Sequence, residues 1–180
     1  MNIFNKISFK IKNIKSFIDI ISTFKTIFFS HILKKKSEWS IAYIRGNWKN
    51  NFNTNKVIKI SNPKNQWFAD PFVIKKNKDH YIFFEDFSLK KDKGSISCIK
   101  VNQQNKREYF KEVIKENFHL SFPFIFKFNK NYFMMPESSE NKSIRLYKCS
   151  KFPNKWKFFK KIVTDVNCVD PVIFKWKNKW

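Results

Sequence analysis

The sequence has 180 residues, room for one ordinary domain and too few for two independent cores. Hydrophobic residues make up 42% and aromatics 19%, which excludes a disordered chain, and two glycines exclude Gly-rich phosphate loops and the dinucleotide-binding fingerprint. The net charge of +23 rests almost wholly on Lys, since Arg45, Arg107 and Arg145 are the only arginines; the forked donors that read bases are scarce, and no nucleic-acid partner is expected.

Residues 1–36 read as a basic amphipathic helical segment. Ile7, Ile11, Ile14, Ile18, Ile21, Phe28 and Ile32 recur at three-four spacing, with Lys6, Lys10, Lys12 and Lys15 beside the stripe. Asp19 and Lys25 interrupt every run long enough to span a bilayer, and no small-residue cleavage site follows. Two uses stay open: docking onto the domain that follows, or peripheral contact of residues 3–33 with an anionic membrane. The latter implies a cytoplasmic protein at the inner face of the membrane. Lys34-Lys35-Lys36 marks the boundary with a second domain, 37–180.

From Trp39 the pattern changes to strands and turns. Trp39–Arg45 and Val57–Ile60 are short alternating or β-branched runs bounded by Asn, Pro and Gly. A repeat follows, beginning at Pro71, Pro123 and Pro171: each proline opens a four-residue strand, an Asn/Lys turn, and an aromatic that starts the next strand. The period of about 50 residues with four strand-like runs is that of a β-propeller blade.

The first blade is predicted at Phe72–Lys75, Tyr81–Glu85, Ser95–Val101 and Tyr109–Lys115, with Lys93-Gly94 as its middle turn. The second is predicted at Phe124–Phe128, Tyr132–Met135, Ile144–Cys149 and Trp156–Val163, with its first turn one residue shorter and Pro136 restoring the count. Blades therefore start near residues 67, 119 and 168. The third unit reaches Trp180 at the start of its second strand, so the expected fold is all-β, the N-terminal half of a propeller, from a truncated reading frame, a gene fragment or a split protein.

In such a blade the start of the innermost strand and the end of the second lie at the same mouth. Asp70, Ser121 and Asp170 occupy the starts, and Glu85, Asp86 and Glu137 the ends, so several carboxyl groups are expected to face one pocket. Paired carboxyls in a sugar-sized funnel are the machinery of glycoside chemistry. Trp67 offers a stacking face and His119 an imidazole contact. No cofactor or metal is expected: Cys98, Cys149 and Cys168 form no C-x-x-C, His31, His80 and His119 share no ligand spacing, and free thiols suit a reducing compartment.

These motifs carry a resemblance. Trp67-Phe-Ala-Asp-Pro-Phe72, Tyr81-Ile-Phe-Phe-Glu-Asp86, Gly94-Ser-Ile96, Phe118-His-Leu-Ser-Phe-Pro-Phe124, Met135-Pro-Glu-Ser138, Ile144-Arg-Leu-Tyr147, Phe152-Pro-Asn-Lys-Trp156 and Asp170-Pro171 resemble the N-terminal domain of the glucosamine inositolphosphorylceramide transferase family. The resemblance implies a five-bladed β-propeller similar to arabinanase- and invertase-type glycosidases. It implies a carbohydrate, nucleotide-sugar or glycolipid ligand and a transferase domain as partner. The expected role is sugar recognition beside a sugar-transferring enzyme. The alternatives are glycosidase-like hydrolysis with Asp70 as base or nucleophile and Glu137 as acid, and, from another class, a basic protein that binds nucleic acid or a membrane surface.

Overall fold

The computed structural model describes residues 21–23, 25, 38–46, 54–177 and 179. The chain divides into two compact units, 1–38 and 39–180. In the first, residues 21–23 and 25 are helical. The rest of the predicted 1–36 helix lies outside the described residues.

The second unit is built from antiparallel sheets. Two-residue strands β1 (Ala42–Tyr43) and β2 (Ile58–Lys59) pair with each other. Two four-stranded meanders follow, each strand hydrogen-bonded to the next in sequence. The first is β3 (Gln66–Lys76), β4 (Asp79–Ser88), β5 (Lys93–Val101) and β6 (Arg107–Ile114). The second is β7 (Ser121–Phe128), β8 (Asn131–Glu137), β9 (Ser143–Lys151) and β10 (Lys155–Thr164).

The chain turns between these strands with almost no glycine. Thirteen described non-glycine residues adopt left-handed φ, and eight of them are Asn or Asp, whose short polar side chains tolerate that region best. Asn77 (φ 56°) and Asn129 (φ 45°) close the two equivalent first hairpins.

Alternation along the strands determines what each face buries. Phe83, Ile96 and Cys98 of the first sheet meet Ile125, Met134 and Tyr147 of the second in one core, with Leu120 of the connecting loop between them. Phe83 lies edge-on to Phe152 and Trp156, with centroids 5.9 and 5.8 Å away. The opposite face of the first sheet buries Phe68, Ile82, Phe84, Ile99 and Val101 beneath Ile41 and Ile60, next to β1 and β2. The innermost strands β3 and β7 run side by side, and Phe72 sits edge-on to Phe122 and Phe124. All three cysteines are free thiols, with Cys98 buried.

Four expectations need correction. Lys93 and Gly94 belong to β5, and residues 89–92 make the turn, with Asp92 taking the left-handed position. The first turns of the two sheets are equal in length, since Lys76 pairs with Asp79 and Phe128 with Asn131. Tyr81 therefore corresponds to Phe133 rather than Tyr132, and Pro136 inserts nothing. His80, expected from the preceding Asn-Lys-Asp to sit in a solvated turn, lies within β4, opposite Lys75. Finally, the third repeat forms no strand among the described residues: Val172, Phe174 and Trp176 are exposed, and only an isolated bridge joins Trp176 to Lys179. Extended backbone becomes a strand only when a neighbour takes up its amides and carbonyls.

Candidate functional site

The proline repeats shape the backbone before they shape any chemistry. Asp70, Phe122 and Asp170, each directly before proline, take φ of 50°, 43° and 49°. In β3 and β7 this coincides with a bulge, between Ala69 and Phe72 and between Ser121 and Phe124. A left-handed L-residue costs on the order of 1–3 kcal/mol, and Phe122 has no short polar side chain to ease it. Two carboxylates take up the amides exposed by these kinks. Asp70 Oδ2 accepts from Phe122 N at 3.2 Å, joining the first sheet to the second, and Glu137 Oε2 accepts from Asp170 N at 3.0 Å.

Glu85 is the repeat equivalent of Glu137, since Ala69 pairs with Glu85 as Ser121 pairs with Glu137. Its environment is drier. It is 4% exposed, and the polar contact of Oε1, His119 Nε2 at 3.3 Å, falls short of hydrogen-bond geometry. Burial, followed by the nearby charges of Asp70, Glu137 and Asp86, pushes its pKa up to about 8. Burial also raises Glu137, reinforced by Asp170 and Asp70 and opposed by the Asp170 amide. Asp70, Glu85, Glu137 and Asp170 thus share one electrostatic neighbourhood at matching ends of successive repeats.

His119, on the loop between the sheets, closes over Glu85. Its Nδ1 accepts from Gly94 N at 3.0 Å, so the neutral imidazole carries its proton on Nε2, 3.3 Å from Glu85 Oε1. Burial lowers the His119 pKa, against the pull of Glu140, Asp70 and Asp92. Glu140 Oε2 also accepts from His119 N at 2.6 Å, fixing the loop.

Gly94 makes this closure possible. A Cβ there would stand 2.5 Å from the Leu120 carbonyl oxygen, 2.8 Å from Glu85 Oε1 and 3.0 Å from His119 Cε1. Leu120 N bonds back to Gly94 O at 3.1 Å, so the backbone has no room to withdraw. Gly94→Ala is expected to cost about 2–3 kcal/mol by overpacking, measured as a lower urea midpoint with unchanged slope. An unchanged midpoint would show that the Gly94–Leu120 pairing is loose.

Asp86 stands apart from this group. Consecutive strand residues point to opposite faces, so Asp86 turns away from Glu85. It is 2% exposed and accepts from Gln66 Nε2 and Ser97 Oγ, each at 2.8 Å, and from the Tyr109 hydroxyl. Those donors come from β3, β5 and β6, making Asp86 a tie across the first sheet. Trp67 is half-buried and stacks on Phe87, centroids 4.4 Å apart and planes 9° from parallel. Ser121 is buried opposite Glu137, and Asp170 is exposed. Among the described residues no group of three or more His, Cys, Asp or Glu side chains is arranged to hold a metal ion.

The sequence reading overlooked Gly94 as a packing requirement, the Gln66–Ser97–Tyr109 set around Asp86, and Glu140. Alternation alone signals that Glu85 and Asp86 do not share a face. Nothing local marks Glu140, which reaches His119 across 21 residues.

The family model described as Glucosamine inositolphosphorylceramide transferase 1, N-terminal, matches residues 33–180. Glucosamine inositolphosphorylceramide transferase 1 of Oryza sativa subsp. indica is 31% identical over 132 residues, covering 70% of this chain and 18% of that protein. The Arabidopsis thaliana protein of the same name is 34% identical over 126 residues, covering 67% and 16%. The chain spans less than a fifth of the length of these relatives. A solved Bombyx mori GH32 beta-fructofuranosidase in complex with sucrose aligns with a TM-score of 0.46 at 12% identity, covering 68% of this chain and 33% of that one. With the family model matching all but the first 32 residues, the chain belongs to the glucosamine inositolphosphorylceramide transferase N-terminal family.

Proposed function

We propose that residues 39–180 form part of a five-bladed β-propeller that recognises the carbohydrate of a nucleotide-sugar or glycolipid ligand for a glycosyltransferase of glycolipid or surface-glycan synthesis. The observation that carries this is the grouping of Asp70, Glu85, Glu137 and Asp170 at matching ends of successive repeats. Two sheets packed face to face with their innermost strands adjacent support the propeller. Family membership and the names of the relatives support the transferase setting. The proposed partner is a transferase domain or further propeller blades, the former supported by the names of the relatives.

Asp70→Asn tests the reading, because the amide oxygen still accepts from Phe122 N while the charge is lost. We expect at least a tenfold loss of sugar affinity by calorimetry across a panel of monosaccharides and nucleotide-sugars, with an unchanged melting temperature. Binding is expected to change less than about threefold between 50 and 200 mM salt, whereas a phosphate-tracking basic surface loses several orders of magnitude. Unaltered affinity in Asp70→Asn would overturn the assignment. The raised pKa of Glu137 favours hydrolysis as a second reading. Hydrolysis requires turnover with a bell-shaped pH profile that disappears in Glu137→Gln.

A further inference from the structure

We propose that the free edge of the second sheet, strand β10, is a docking surface for a membrane carrying anionic lipid. Its lysines meet the headgroups, and the hydrophobic side chains between them enter the interface.

The first observation is charge. Residues 141–164, which contain β9 and β10, hold eight basic residues and no Asp or Glu. Antiparallel pairing then sets like charges opposite one another: Lys155 faces Lys151, Lys157 faces Lys148 and Lys161 faces Arg145. Directly opposed like charges weaken a sheet. Among the described residues, Arg145 alone of the eight meets an acid, Glu116 at 3.6 Å. The remaining positive charge on this edge has its complement outside the strand pair.

The second observation is hydrophobic. Phe158, Phe159, Ile162 and Val163 of the same strand are each 41–51% exposed. Two of them are set by bulges. The register shifts between Phe158 and Lys160 and again between Lys161 and Val163, which leaves Phe159 and Ile162 as the extra residues without a partner on β9. A bulge re-aims the side chain it carries and breaks the regular ladder of an edge.

Together these features select the occupant. A second copy adding its own strand to β10 would meet bulges and repeated lysines, both of which oppose edge pairing. A nucleic acid would satisfy the lysines and could stack on Phe158 or Phe159, but it offers nothing to Ile162 and Val163. A bilayer interface accommodates all of them. Lysine stems lie along apolar surface with the ammonium at the lipid phosphates, and aromatic and aliphatic side chains sit at the acyl boundary.

Co-sedimentation of the whole 180-residue chain with vesicles tests the surface. Vesicles of phosphatidylcholine with about 30% phosphatidylserine are expected to bind at least about tenfold more tightly than phosphatidylcholine alone. Replacing Lys155, Lys157, Lys160 and Lys161 together with Gln is expected to remove at least about tenfold of that affinity. The same loss is expected when Lys6, Lys10, Lys12 and Lys15 are already Gln, which sets aside any contribution of the amino-terminal segment. Phe159→Ser with Ile162→Ser is expected to weaken vesicle binding about threefold or more and to leave binding of heparin, a polyanion without acyl chains, unchanged. Hydrogen exchange on the parent chain needs no substitution: the β10 amides are expected to exchange more slowly when phosphatidylserine vesicles are bound. Equal binding to both kinds of vesicle overturns the proposal. So does parent-like binding by the lysine variant in both backgrounds, or exchange at β10 unmoved by bound vesicles. Insensitivity of vesicle binding to the Phe159 and Ile162 changes also overturns it, in favour of a surface for a soluble polyanion such as a nucleic acid.

Discussion

Replacing Asp86 with alanine is expected to destabilise the chain by about 3–5 kcal/mol. The size follows from what remains behind. The Asp86 side chain is the acceptor for Gln66 Nε2, Ser97 Oγ and the Tyr109 hydroxyl, and the Ser97 hydroxyl in turn accepts from Glu112 N at 2.9 Å. Alanine strands three donors in a site that is 2% exposed, and each buried donor without a partner costs about 1–3 kcal/mol. Asn keeps one acceptor and is expected to cost about half as much. Tyr109→Phe removes one hydroxyl and its need together, and is expected to cost about 1 kcal/mol. Urea denaturation followed by tryptophan fluorescence measures all three. Equal losses for Asp86→Ala and Tyr109→Phe would show that the network does not act as a unit.

The placement of Asp86 shows where sequence reasoning succeeds and where it stops. Proline at Pro71 and Pro123, the Asn-Lys turns and the aromatic alternation are local signals, and they located all eight strands of the two meanders. The edges were drawn short because β3 and β7 continue backward through a bulge, which hydrophobic alternation does not register. Local sequence aligns Tyr81 with Tyr132, each an aromatic that follows the Asn/Lys turn. Pairing geometry instead fixes Phe126 opposite Phe133 and Ile74 opposite Tyr81.

Which acid is buried depends on contacts across the fold. Glu85 and Glu137 occupy the same position in successive repeats. Yet His119 closes over the first alone, because Gly94 lets the loop approach β5 within backbone contact. A lone glycine at a strand edge reads equally well as a turn, and with Asp92 able to supply the left-handed residue the chain had no need of one there. The third repeat shows the converse: Pro171–Phe174 has the composition of an inner strand, and composition does not supply a ladder partner.

The consequence of burying Glu85 is a stability that declines as the solution becomes more alkaline. The folded chain holds the Glu85 proton up to about pH 8, whereas the unfolded chain releases it near 4.5. Between those values the folded state binds more protons, so unfolding becomes easier as pH rises, by about 3 kcal/mol between pH 5 and pH 8. Glu137, also raised, adds in the same direction. His119 opposes it: its lowered pKa gives stability that is present above 6.5 and lost as pH falls, so its contribution belongs to the acid end of the window. The profile of the parent alone mixes these terms, and the difference between parent and Glu85→Gln isolates one. Glutamine does not titrate, so its stability relative to the parent is expected to rise by about 3 kcal/mol from pH 5 to pH 8, measured by urea midpoints at half-unit steps. A flat difference would mean that Glu85 ionises at the ordinary carboxylate pH and that water reaches Oε1 after all. A rising difference would establish that the chain keeps a carboxyl group neutral at physiological pH, at a cost to its own stability, beside three carboxyl groups a ligand can reach. Stability alone gives no reason to keep such a group, because glutamine fills the same volume without the pH-dependent cost.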